Sequence, residues 1–138
     1  MKTSKLVLGL VLCFLVIGCS QRTSVRGTVR YDDGEPLTWG VVKFVGPKIQ
    51  ATGKIRKDGT YVMDELNPRD GVTPGTYQIA VAGLTTGGGD DGTPLTWHID
   101  PKFDNPGTSG LTCEVGKKSV VYDITVTRPP SASARGGR

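Results

Sequence analysis

Histidine occurs once in this 138-residue chain and cysteine three times, and aromatic residues make up 7% of it. A single imidazole, His98, argues against zinc and similar ions, whose sites draw several His or Cys ligands. Two of the cysteines, Cys13 and Cys19, lie near the start. Cys113 stands alone in the body, so no disulfide can close there. Runs of helix-favouring residues are missing, and the only long apolar run ends at Ile17. Neither a helical bundle nor a membrane-spanning helix is therefore expected in the body.

What the chain does hold is Gly, 20 residues, and Pro, 9 residues, with many β-branched side chains. That mixture points to an all-β domain with many turns. The formal charge of +4 invites a nucleic-acid reading, but the positions of the charges oppose it. Lys2 and Lys5 sit at the start and Arg128, Arg135 and Arg138 at the end, so residues 24–127 are slightly acidic. No nucleic-acid partner is expected.

The opening residues have a short basic start (Lys2, Lys5), an apolar stretch over 6–17, and Gly18 before Cys19. This is the layout of an export signal, and at about 12 residues the stretch is short of the roughly 20 that cross a bilayer. Val16-Ile17-Gly18-Cys19 resembles the lipobox of bacterial lipoproteins. The resemblance implies a cleaved signal over 1–18, an acylated Cys19 as mature N-terminus, and a short tether over 19–23. It further implies attachment to a membrane of the cell envelope by several acyl chains, with no other cofactor. Ser20 resembles the residue type that permits transfer to an outer membrane rather than retention at the inner one.

From Ser24 onward short alternating runs are separated by turn residues. Val25, Gly27, Val29 and Tyr31 alternate; Val42 and Phe44 mark a second strand. Asp58-Gly59 is suited to a type I′ hairpin between strands over 51–56 and 60–63. Thr73-Pro74-Gly75-Thr76 reads as a type II turn with positive φ at Gly75, leading into Tyr77, Ile79 and Val81. Residues 84–95 read as a flexible glycine-rich loop and 101–110 as irregular, before strands over 111–115 and 120–126. About seven strands in one domain, residues 24–127, is the pattern of a small sandwich. Residues 128–138 read as a disordered basic tail.

The stretches VRGTVRYDDGEPLTWGVVKF, KDGTYVM and GVTPGTYQIAV resemble the carboxypeptidase regulatory-like domain, a transthyretin-like Greek-key β-sandwich of exported bacterial proteins. Gly27, Pro36-Leu37 with Gly40, Asp58-Gly59 and Pro74-Gly75-Thr76-Tyr77 carry the likeness. These are turn and core residues, so the resemblance speaks to fold and not to ligand.

Residues able to carry out chemistry are few. His98 could serve a triad with Ser109 or Ser119, or a dyad with Cys113, yet no nucleophile-elbow sequence accompanies it, and no enzymatic activity is expected. Leu111, Cys113 and Val115 alternate as an inward face, so Cys113 reads as a small buried hydrophobe. Gly87 to Gly92 satisfies G-x-G-x-x-G as letters, but no helix follows it and two acids interrupt it, so it is no phosphate site. Asp90, Asp91, Asp100 and Asp104 are the residues a calcium ion would use; without EF-hand spacing they read as solvated loop acids. Candidate ligand contacts are Trp97, His98 and Trp39, because an indole stacks on a sugar face or anchors a protein interface. Trp97, beside the long loop, is expected to be the more exposed tryptophan. The chain thus reads as a non-enzymatic, lipid-anchored envelope protein whose sandwich binds an envelope protein or acts structurally; the alternative is a carbohydrate-binding module built on Trp97.

Overall fold

Ten short strands, a 3-10 turn and no α-helix make up the described part of the protein, a computed structural model covering residues 21–64 and 71–130. The signal, Cys19 and its lipobox (Val16, Ile17, Gly18) lie outside the described residues, as do residues 131–138. Val25–Tyr31 (β1) buries every second residue, which is what a strand with one face on a core requires. Thr60–Val62 (β4) pairs with it antiparallel, while Val120–Val121 (β9) and Ile124–Val126 (β10) run parallel to it. The second sheet has the order β3 (Gln50–Lys54), β2 (Val41–Val45), β5 (Gly75–Ala82), β8 (Leu111–Val115), all antiparallel. Thr85–Thr86 (β6) and Thr96–Trp97 (β7) form a separate hairpin.

The inward residues of the two sheets form one core. Val25, Val29, Tyr61 and Ile124 come from the first sheet, and Phe44, Ile79, Val81 and Cys113 from the second. This is a two-layer, sandwich-like arrangement, reached because each sheet has a single apolar face to bury. Among the described residues the buried apolar side chains run from Val25 to Val126.

Two particular turn expectations are corrected. Asp58-Gly59 does turn the chain, but Gly59 N donates to Arg56 O and Arg56 N to Thr60 O (both 2.9 Å), closing a three-residue loop rather than a two-residue one. Gly59 takes the positive φ (84°), and Asp58 Oδ1 accepts from Thr60 N and Oγ1, which fixes the loop from within. The flanking strands then part, β3 to one sheet and β4 to the other, and meet again at the Thr52–Asp64 bridge. At 73–76 no type II turn forms. Gly75 already opens β5 opposite Val115, and the positive φ falls on Gly71 (75°) instead. The corner is fixed by Tyr77, whose hydroxyl donates back to Thr73 O at 2.6 Å, a tyrosine-corner geometry.

Three irregular-segment expectations also change. Residues 84–95 are built around the β6–β7 hairpin, and residues 101–110 open with a 3-10 turn, Pro101–Asp104, that buries Phe103. The strand count exceeds seven because β9 and β10 are separate at Tyr122-Asp123 and the hairpin adds two more. Arg128, expected to begin a tail, belongs to the packed domain: it lies 4.0 Å over the Tyr31 ring and pairs with Asp33 and Glu35.

The strand directions give the domain two ends. At the proximal end the chain enters at Thr23, bonded in both directions to Val72; the turns at 46–49 and 116–119 share that end. The distal end holds residues 32–40, 56–59 and 83–110 and the last residue of β10.

Candidate functional site

The distal end brings together two of the three candidate contact residues. Leu37 plugs the core and donates its N–H to Val29 O (2.9 Å), which pins the loop that carries Trp39. Gly40 then takes φ 112°, and a side chain there would stand 3.0 Å from Ala82 O and 3.2 Å from Leu84, so only glycine lets this loop lie against the end of β5. Trp39 is left 37% exposed, with its ring 5.1 Å from that of His98 at 71°, an edge-on pair.

His98 is positioned by the hairpin. Its N–H donates to Leu84 O (2.9 Å), its carbonyl accepts from Tyr31 Oη (3.1 Å), and its Nε2 lies 3.0 Å from Thr86 Oγ1. Register explains the last contact, because His98 follows Trp97 and so shares a face with Thr96 and its partner Thr86. The same alternation turns Trp97, paired with Thr85, to the other face, where it is half-buried. The expected order of exposure is therefore reversed: Trp39 is the exposed indole.

The hairpin tip is bonded internally. Gly88 N donates to Thr93 O (2.8 Å), Asp91 Oδ1 accepts from Thr93 N (3.0 Å), and Gly87, Gly88 and Gly92 take positive φ. A side chain at Gly87 would meet Pro94 O at 2.2 Å. The glycines serve a tight turn, and the expectation of a flexible loop gives way to a braced one. The bonds from Thr93 hold the Asp91 carboxyl below its ordinary range. Asp100 accepts from Lys102 N and caps the 3-10 turn. With Asp90 and Asp104, these acids do not converge: among the described residues no three His, Cys, Asp or Glu side chains group as a metal site.

The nucleophile candidates lie elsewhere. Ser109 is buried and bonds Ile79 O; Ser119 is in a proximal turn, at the other end from His98. Cys113 registers against Tyr77 in the second sheet, and burial pushes its thiol up, away from the reactive thiolate. It should resist thiol reagents in the native protein and react fully in denaturant; quantitative labelling without denaturant would contradict the burial.

Two further hollows lie outside this cluster, at positions named from the sequence only as turn and core residues. One, about 430 Å3, crosses the outer face of the first sheet between Arg26, Arg56, Asp58, Thr60, Val121 and Asp123. The other, about 260 Å3, sits at the proximal end between Pro47, Lys48, Ile49, Pro74 and Tyr77.

The chain matches no family model, no curated protein and no solved structure. Chemically, the distal cluster offers a flat exposed indole, an imidazole edge and a hydroxyl on a braced frame. That combination suits non-covalent recognition: apolar stacking with hydrogen bonds at the rim. Thr86 was not named from the sequence and Tyr31 only as a strand residue, because hairpin register brings the first to His98 and the end of β1 the second.

Proposed function

We propose that the chain is a lipid-anchored protein of the bacterial cell envelope, and that its carboxypeptidase regulatory-like, transthyretin-like sandwich works without enzymatic activity as an interaction module. The observation that supports an interaction role best is Trp39, exposed and held against His98 at the end of the domain opposite the chain's point of entry. An anchor at Cys19 would leave that end pointing away from the lipid. The parallel β1–β10 pairing, the four-stranded antiparallel sheet and the Tyr77 corner are compatible with the transthyretin-like assignment. The outer membrane is the preferred site, on the strength of Ser20.

A second reading, a carbohydrate-binding module, draws support from the same cluster, because Thr86 and His98 supply hydrogen bonds beside a stacking indole. In that reading Trp39 takes the role first given to Trp97.

The anchor is tested by replacing Cys19 with alanine in cells fed a labelled fatty acid. The parent should carry label in the membrane fraction, and Cys19→Ala should carry none and accumulate as precursor. Label retained by the variant would overturn the anchor.

A further inference from the structure

Three turns meet where the chain enters the domain, and among the described residues their charged side chains are all basic. Residues 46–49, 71–76 and 116–119, with 21–24 beside them, contain Arg22, Lys48, Lys117 and Lys118 and no acid. All four side chains are exposed, and the three lysines make no ion pair among the described residues. The nearest described acids stand back on the strands: Asp64 bridges the backbone of Thr52, and Glu114 registers with Thr76. The distal end has the opposite character, since residues 32–40, 56–59 and 83–110 hold most of the domain's acids against Arg56, Lys57 and Lys102. Among the described residues, acids thus gather at the distal end and lysines at the proximal turns.

Apolar surface accompanies the proximal lysines. Ile49 is 37% exposed between Lys48 and Gln50, and with Pro47, Pro74 and the Tyr77 ring it borders the open hollow of about 260 Å3. Lysines around a small exposed apolar tip are what a surface touching anionic headgroups needs: cations at the phosphate plane, and an aliphatic group that leaves water at the boundary.

The geometry of the chain's point of entry supplies the partner. Thr23 is tied to Val72 and, through Oγ1, to Gly116 O, so the proximal end cannot swing away from the chain that leads into it. Three residues separate Thr23 from Cys19, four Cα–Cα steps with a reach of about 14 Å fully extended. We infer that the proximal face, Lys48, Lys117 and Lys118 around Ile49, docks on an anionic lipid bilayer and stands the domain upright with Trp39 outward. The inference rests on the anchor reading for its biological setting, but the docking chemistry does not require acylation.

The test uses the leader-free chain, residues 19–138 with Cys19→Ser, and vesicles of phosphatidylcholine with or without about one-third phosphatidylglycerol. The chain should sediment with the anionic vesicles and not with the neutral ones, and should be released by salt. Replacing Lys48, Lys117 and Lys118 with glutamine should cut partitioning about 100-fold, taking about fivefold per lysine. An environment-sensitive dye at Ile49→Cys should shift blue on the anionic vesicles, whereas the same dye at Thr38→Cys should not. Equal binding to both vesicle types, an unaffected triple variant, or a shift at position 38 rather than 49 would overturn the proposal. Retention of a soluble anionic polysaccharide with no retention by the vesicles would assign the face to that polymer and equally overturn it. Intact mass of the full chain recovered from membranes reports the anchor separately, so a failed anchor and a failed docking face are told apart.

Discussion

Replacing Gly27 with alanine should lower the stability of the domain by about 3 kcal/mol, the upper end of what overpacking costs. A Cβ there would stand 1.9 Å from Tyr122 O and 2.6 Å from its carbonyl carbon. The obstacle is backbone, and it is fixed on three sides. Tyr122 N donates to Arg26 O (2.8 Å), Tyr122 O accepts from Tyr61 Oη (2.5 Å), and Asp123 Oδ1 accepts from Thr28 N (2.9 Å) and Oγ1 (3.0 Å). Relief would mean moving the β9–β10 link away from β1 and breaking the parallel pairing that closes the first sheet. For a domain of this size about 3 kcal/mol is a fall of roughly 12–20 °C in Tm. Gly116→Ala is the control, because nothing lies within 4 Å of that position, and its change should stay within about 0.5 kcal/mol. Thermal and urea denaturation of the two variants beside the parent would check the pair. Near-equal stabilities for parent and Gly27→Ala would mean that the Tyr122 segment is not held as described.

Trp39→Ala should cost at least tenfold in whatever the distal end captures while leaving the melting temperature nearly unchanged. The separation follows from where the side chain sits. Trp39 is more than one-third exposed and its main ring partner is His98, so truncation removes recognition surface and little core. Binding surfaces concentrate their energy in a few such anchors, and loss of a tryptophan commonly costs about 2 kcal/mol or more. Trp97→Ala should show the converse, a lowered melting temperature from the loosened β6–β7 hairpin and a smaller change in capture. The yield of material co-purified from envelopes, compared with parent at equal protein, is the readout. Undiminished capture by Trp39→Ala would remove the distal cluster from the account.

The alternation of Val25, Gly27, Val29 and Tyr31, and of Leu111, Cys113 and Val115, was legible in the sequence because a strand with one buried face writes its period into its residue types. The all-β class and the two-layer arrangement followed. The turns were legible as turns but not in type. Asp58-Gly59 fits two loop lengths, and the choice was made by strands that leave for different sheets, a non-local fact. Gly75 lost its positive φ because pairing with β8 extends β5 by two residues, Gly75 and Thr76, beyond the local pattern. The candidate site was half visible. Trp39 and His98 could be named, but their contact depends on the register Thr85↔Trp97, which no local signal in a glycine-rich stretch specifies. The same register turned Trp97 inward and misdirected the sequence reading. Lys48 and the Lys117-Lys118 pair lie far apart in the chain, and only the fold brings the turns bearing them to one end.

The central claim, a membrane-held module that recognises its partner through the distal end, is tested most directly by photo-crosslinking in the native envelope. A photoreactive residue would be placed at Thr38, beside Trp39, and in a second variant at Val121, exposed on the side of the first sheet. The account predicts a recurrent adduct, protein or glycan, from position 38 that disappears when Trp39→Ala is added, and none from position 121. Adducts from position 121 alone, or from position 38 undiminished by Trp39→Ala, would contradict it.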